Sequence, residues 1–159
     1  MIQIKDLGTF EAVPEIVIDI VKGNIKALEN ALIDGWDIHK PIQLDNYSEY
    51  SPLELALVIN CLPSVQWLVE HGVDLNEEEN PSFLLVVRYG TKKIIEYVVS
   101  HGANIHALNC VKLDAFEAAL YGKKYENLQI IHDLGHTVQK YGGKAFRNAI
   151  TDRNYEVLD

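Results

Sequence analysis

A short motif that contains glycine followed by a polar turn recurs four times along this chain. Its glycines are about 30 to 37 residues apart, at Gly35, Gly72, Gly102 and Gly135. Apolar residues three or four positions apart precede each glycine, as Val65, Leu68 and Val69 do, and this spacing predicts one buried helical face. Glycine adopts the left-handed conformation that ends a helix at little cost. The pattern therefore predicts four similar helices and indicates a repeat protein.

A second predicted helix precedes each of these glycine-ended helices. The clearest begins at Ser51-Pro52, where the serine can cap the helix and proline suits its first position. Segments beginning at Pro14, Pro81 and Asp114 occupy the same place in the other units. Each unit is thus predicted to be a pair of helices that needs its neighbours to bury its apolar face.

Two motifs of the second unit resemble those of the ankyrin-repeat family. Ser51-Pro52-Leu53-Glu54-Leu55-Ala56 is similar to the family's Thr-Pro-Leu-His-Leu-Ala opening, and His71-Gly72-Val73-Asp74-Leu75-Asn76 to its His-Gly-Ala-Asp-Val-Asn ending. The resemblance implies an all-α ankyrin-repeat solenoid of four helix-turn-helix repeats and a partial fifth, in a single domain spanning residues 1–159. An irregular N-terminal cap would precede repeats at approximately 14–40, 46–76, 77–106, 109–138 and 143–159.

The chain departs from the family pattern in two ways. The usual histidine of the opening motif is absent, and its place is taken by Val17, Glu54, Leu84 and Glu117. Because the hydrogen bonds of that histidine are lost, we expect the repeats to depend more on apolar packing. The β-turn fingers between repeats are also irregular, with a long first finger and a short second one. Irregular fingers suit a particular partner, and ordinary loop variation is the alternative.

Residues that would support catalysis or metal binding are sparse. Among the six histidines only His132 and His136 have His-x-x-x-His spacing, with the helix-ending Gly135 between them, and no Cys-x-x-Cys pattern exists, so we predict no metal site. Cys61 and Cys110 are expected to be reduced, unpaired thiols without a nearby base. We therefore expect no enzymatic activity and no cofactor. A cleft that held His106 and Asp114 together with shifted pKa values would instead favour an enzyme.

Negative charge is concentrated in one third of the sequence. Residues 29–79 hold eleven acidic residues and one basic residue, Lys40, and the whole chain has a net charge of −9. Such a surface disfavours nucleic acid and would attract a basic protein, with solubility as the alternative role. No apolar run approaches the ~20 residues of a membrane span, and no signal peptide is evident. We expect a cytoplasmic protein that binds neither nucleic acid nor membranes.

The family resemblance places recognition on the fingers and on the exposed ends of the first helices. The residues predicted there are Tyr47, Ser48, Tyr50, Val58, Ile59, Glu77, Glu78, Asn80, Arg88, Tyr89, Asn109, Lys112 and Tyr121, followed by Thr151 and Asp152 in the last unit. Tyrosines flanked by acids suit a protein interface, although they would also cover neighbouring repeats.

The predicted function is a non-catalytic module that binds another protein, one with a basic surface. An inhibitor or immunity-type protein that neutralises a basic toxin or nuclease is the first alternative. A structural module of a larger assembly is the second alternative, and the oligomeric state stays open.

Overall fold

The computed structural model describes residues 13–44, 48–78 and 80–136, and in these residues the helices form four consecutive pairs. The first helices of the pairs are α1 (Glu15–Lys22), α3 (Pro52–Ile59), α5 (Ser82–Tyr89) and α7 (Ala115–Tyr121). The second helices are α2 (Ile25–Ile33), α4 (Leu62–Glu70), α6 (Lys92–Ser100) and α8 (Glu126–Asp133). The predicted all-α arrangement is confirmed there, and the predicted fifth repeat at 143–159 lies outside the described residues.

One short β-hairpin accompanies the helices in the described ranges. Strands β1 (Ile42–Gln43) and β2 (Glu49–Tyr50) are antiparallel, with Ile42 opposite Tyr50. This hairpin forms the long first finger between α2 and α3. The chain divides into two compact units, Met1–Asp74 and Leu75–Asp159.

The core of the first unit is formed by α1 to α4. Helix α1 packs on α2 and α3, while α4 packs on α3 and α2. Fully buried aliphatic side chains from all four helices meet there, and they include Val17, Ile20, Leu28, Leu55, Leu57, Val65 and Leu68. Ser51 begins α3 as predicted: its hydroxyl accepts from the Glu54 amide at 3.2 Å, and the Glu54 carboxylate accepts from the Ser51 amide at 2.8 Å. Glu54, at the family's histidine position, thus completes a capping box.

The second unit has the same arrangement of helices. Helix α5 packs on α6 and α7, and α7 packs on α8. The end of α7 lies directly against the last turn of α5, because an ideal Cβ built on Gly122 would be 1.9 Å from the Arg88 carbonyl oxygen. Only glycine permits this approach of two backbones, and it sets the position of Arg88 relative to α7.

A buried polar side chain joins neighbouring repeats in each unit. The Ser64 hydroxyl on α4 donates to the Ile20 carbonyl of α1 at 2.6 Å. The Asn127 side-chain amide on α8 donates to the Val87 carbonyl of α5 at 3.0 Å and to the Gly90 carbonyl at 3.3 Å. The carbonyls of a helix's last turn lack partners inside the helix, so these bonds satisfy them. Packing between repeats therefore includes buried hydrogen bonds in addition to the apolar contacts that the sequence predicts.

The second helices end in the predicted left-handed glycines, with φ of +86° at Gly72 and +94° at Gly102. The histidine before each glycine has a structural role. His71 donates through Nδ1 to the Trp67 carbonyl at 2.7 Å and stacks on the Trp67 ring at 4.0 Å. His101 makes the same pair of contacts with Tyr97, at 2.8 and 4.0 Å. These histidines stabilise the helix ends.

The second and third fingers are joined through one asparagine side chain. Asn76 donates through Nδ2 to the Gly102 carbonyl at 3.1 Å, and its Oδ1 accepts from the Asn104 amide at 2.7 Å. Two hydrogen bonds from one side chain hold the bases of these fingers together.

Candidate partner-binding site

The tip of the third finger, residues 109–113, is held by its own hydrogen bonds. The Asn109 side-chain oxygen accepts from the amides of Val111 at 3.1 Å and Leu113 at 2.9 Å. The Lys112 amide donates to the Asn109 carbonyl at 2.9 Å, with Lys112 in the left-handed region at φ +61°. This turn presents Val111, whose side chain is 74% exposed. Hydrogen bonds within the turn thus hold a large apolar side chain in contact with solvent.

A cavity of about 370 Å³ opens beside this finger. It is bounded by the end of α5, by the finger and by one face of α7, where Glu117 and Tyr121 are four residues apart. The lining residues are Arg88, Asn109, Val111, Leu113, Glu117 and Tyr121. Apolar and polar groups therefore converge on one recess of the second unit.

Two groups of opposite charge line this cavity without pairing with each other. Glu117 is only 5% exposed; its amide donates to the Asp114 carboxylate at 2.9 Å, which caps α7. The Glu117 carboxylate has no hydrogen-bond or ionic partner in the described part of the chain. The Arg88 Nε is buried without a partner there, and its guanidinium lies 5.1 Å above the Tyr89 ring. The recess is therefore lined by one carboxylate and one guanidinium that do not pair with each other.

The structure brings together three of the residues predicted from the sequence, Arg88, Asn109 and Tyr121, around this cavity. Tyr89 is half-buried beside Arg88, and Lys112 is exposed on the finger without lining the cavity.

The second finger carries Glu77, Glu78 and Asn80, and all three side chains are exposed to solvent. The predicted residues Tyr47, Thr151 and Asp152 lie outside the described residues.

In the first unit, the predicted residues lie in the hairpin finger and at the end of α3. Tyr50 belongs to β2, and the Ser48 carbonyl accepts from the Leu44 amide at 2.9 Å at the base of the hairpin. Val58 and Ile59 were expected to be exposed, and this expectation is wrong, because both are half-buried at the end of α3. They contribute less open apolar surface than the sequence indicated.

Sequence reasoning missed Val111, Leu113 and Glu117 as lining residues. A signal existed for two of them. Glu117 replaces the family's histidine, and Val111 is an apolar residue within an otherwise polar finger. Neither signal reveals that the two side chains border the same recess.

A second cluster lies where the third finger meets the end of α8. The Nδ1 atoms of His106 and His136 are 3.4 Å apart with stacked rings, and the Phe116 ring centroid is 5.4 Å from that of His136. Burial lowers the pKa of His136, the Asp114 carboxylate partly opposes this by raising it, and His106 lowers it further. Asp114 caps α7, and the side-chain contact of His106 in this cluster is with His136.

Other chemistry is limited within the ranges that the structure describes. No group of three or more histidine, cysteine, aspartate or glutamate side chains there could hold a metal ion. Cys61, at the start of α4, and Cys110, exposed in the third finger, are unpaired thiols. None of the helices α1 to α8 is both long enough and apolar enough to cross a membrane.

The chain is similar in sequence to ankyrin-repeat proteins. It is 28% identical over 114 residues to "Ankyrin repeat and SOCS box protein 2" of Homo sapiens, covering 67% of this chain and 18% of that protein. It is 29% identical over 96 residues to "Ankyrin repeat and SAM domain-containing protein 6" of Rattus norvegicus, covering 58% of this chain and 10% of that protein. No protein-family model matches the chain.

This chain spans less than a fifth of the length of these curated relatives. Their similarity therefore bears on the repeats and not on the remainder of those proteins. The repeated helix pairs, the glycine-ended second helices and the similarity to these proteins together support an ankyrin-repeat fold.

Proposed function

We propose that this chain is a non-catalytic module that binds another protein through its fingers and the adjoining ends of its first helices. The observation that carries the proposal is the recess beside the third finger. Val111 is 74% exposed and Tyr121 44% exposed at its edge. Exposed apolar side chains next to a recess are typical of protein-binding surfaces, in which an aromatic anchor and a pocket contribute most of the affinity.

The charge of the first unit supports a basic partner. Glu29, Asp34, Glu49 and Glu70 are exposed, and they pair with no lysine or arginine in the described part of the chain. Unpaired surface carboxylates create a field that accelerates encounter with a positively charged protein and disfavours nucleic acid. An inhibitor of a basic enzyme or toxin would use the same surface. Loss of activity of the captured protein would distinguish inhibition from scaffolding.

Capture from a lysate of the source organism on the immobilised chain tests the proposal. Val111→Ser should remove the dominant captured protein, because it deletes the apolar group at the edge of the recess. Ile33→Ser is the matched control, since Ile33 is 82% exposed at the end of α2 and does not line the recess. Equal capture by the wild type and by Val111→Ser would overturn the proposal.

The basic-partner part of the proposal has its own measurement. Replacing Glu29, Asp34, Glu49 and Glu70 with lysine should slow association with the captured protein, and added salt should slow association with the wild type. Association rates that change with neither the substitutions nor salt would remove the electrostatic part and leave the apolar part standing.

A further inference from the structure

A largely buried acidic residue lines the recess beside the third finger. Glu117 is 5% exposed, and its carboxylate has no hydrogen-bond partner among the described residues. The carboxylate borders an open cavity, where a donor from another molecule can reach it.

Arg88 lines the same cavity and carries the opposite charge. Its Nε–H is buried and lacks an acceptor in the described ranges. An ionised carboxylate only accepts hydrogen bonds and a guanidinium only donates them. The two groups form no ion pair with each other within 4.0 Å. A group that reaches both side chains would therefore donate to the Glu117 carboxylate and accept from the Arg88 guanidinium.

The charges of Glu117 and Arg88 decide which chemical groups of a ligand suit the recess. A lysine side chain would satisfy Glu117 and face the cation of Arg88, while a carboxylate would satisfy Arg88 and face Glu117. The sequence around the cavity adds no strong bias, because residues 80–136 hold five acidic residues and six lysines and arginines. A neutral group with a donor and an acceptor at one end satisfies both without a repulsive contact.

A primary carboxamide has this property. Its NH₂ and C=O lie at the same end of the side chain and carry both functions on adjacent atoms. A backbone peptide group carries the same functions, but in the trans form its N–H and C=O point in opposite directions. Val111, Leu113 and Tyr121 also supply apolar surface for the methylene groups that carry a side-chain amide.

We infer that the recess binds an asparagine or glutamine side chain of the protein partner, with Glu117 accepting from its NH₂ and Arg88 donating to its carbonyl. This inference rests on the proposed function and names the group that the same site recognises. Apolar contacts to Val111 and Tyr121 would position the side chain at the mouth of the recess.

Nuclear magnetic resonance titration of the ¹⁵N-labelled chain tests the inference without the natural partner. The probes are N-acetyl methylamides of glutamine, lysine, glutamate and alanine, and the alanine compound controls for backbone amides. The glutamine compound should give saturable, millimolar shifts in the amides of residues 109–113 and 117, and the other three should not. Equal or stronger shifts with the lysine or glutamate compound, or none with the glutamine compound, would overturn the inference.

Substitutions of the two charged lining residues distinguish a loss of ligand binding from a loss of folding. Glu117→Leu and Arg88→Met should each weaken glutamine binding by about tenfold or more, because each removes a hydrogen bond to a charged group. The melting temperature of each variant, measured beside that of the wild type, shows whether a loss of binding reflects unfolding. Lys93→Gln is the control: Lys93 is exposed on α6, does not line the cavity and belongs to none of the predicted binding residues, so this variant should bind like the wild type. Unchanged binding by Glu117→Leu would contradict the assignment.

The two proposals fail in different ways. If protein capture depends on Val111 and the glutamine compound does not bind, the carboxamide assignment is wrong and the protein-binding proposal stands. If the glutamine compound binds and capture does not depend on Val111, the protein-binding proposal is wrong at this surface.

Discussion

The structure requires glycine at positions 122 and 102 for different physical reasons. A side chain at Gly122 would overlap another helix, whereas a side chain at Gly102 would strain the backbone, so substitutions at the two positions should have different effects. Gly122 has φ −76° and ψ −9°, which any residue adopts. Its ideal Cβ would be 1.9 Å from the Arg88 carbonyl oxygen and 2.8 Å from the carbonyl carbon. Ordinary contact begins at 3.4 Å, so alanine would force the end of α7 and the last turn of α5 apart by about 1.5 Å. Both obstacles are backbone, and no side-chain rotation relieves them.

The expected cost follows from this overlap. Overpacking costs about 1–3 kcal/mol, and alanine recovers about 0.5–1 kcal/mol because it loses less backbone entropy than glycine on folding. A backbone overlap of this size falls at the upper end, so Gly122→Ala should lower the free energy of unfolding by about 2 kcal/mol. For a chain of this length, the melting temperature should fall by roughly 4–8 °C. Displacement of Arg88 should also weaken binding at the recess.

Gly102 provides the matched comparison. It has φ +94° and no atom within 4 Å of an added Cβ, so only the backbone conformation opposes a side chain. Gly102→Ala should cost about 1–2 kcal/mol. Asparagine tolerates positive φ better than alanine does, so Gly102→Asn should recover part of that loss. Gly122→Asn should recover none, because its obstacle is steric.

Urea unfolding followed by circular dichroism measures all four variants. The reasoning about Gly122 would be refuted if Gly122→Ala stayed within about 0.5 kcal/mol of the wild type, the range of an ordinary surface substitution. It would also be refuted if Gly122→Asn were clearly more stable than Gly122→Ala.

Three further predictions concern other parts of the second unit and the contacts between repeats. Because the pKa of His136 is lowered from 6.5 in the folded protein, its contribution to stability is complete above pH 6.5 and decreases as the pH falls below it. Urea unfolding between pH 8 and 5 should show this loss in the wild type and less of it in His136→Gln; identical pH profiles would contradict it. Ser64→Ala and Asn127→Ala leave buried helix-end carbonyls without donors, so each should lower the free energy of unfolding by about 1–3 kcal/mol. Exposed Ser100→Ala is the control, and an equal loss there would contradict the burial argument. Lys112→Gly should stabilise the chain by about 0.5–1 kcal/mol by relieving the left-handed strain, and a lower melting temperature than the wild type would contradict this.

The helix pairs of the described residues could be predicted because their signals are local. A capping serine at Ser51, a proline at Pro52 and a helix-ending glycine at Gly72 each act within about one helical turn. Apolar spacing along α4 identifies its buried face for the same reason. The family resemblance then arranged these elements into repeats, and the structure confirmed the four pairs.

The contacts that join elements could not be predicted in this way. Ser64 and Ile20 are 44 residues apart in sequence, and nothing near Ser64 indicates that its hydroxyl would satisfy a carbonyl of α1. The half-burial of Val58 and Ile59 likewise depends on atoms contributed by other elements. Burial is a property of the assembled chain, and a residue's own neighbours in sequence do not determine it.

The sequence alone determined where helices begin and end, which faces are apolar and where negative charge accumulates, because these depend on residue type and short-range spacing. The tertiary structure decided that Arg88, Val111 and Glu117 border one recess. Their convergence depends on the approach of α7 to α5 at Gly122 and on the hydrogen-bonded turn of the third finger, which together place residues distant in sequence around one cavity.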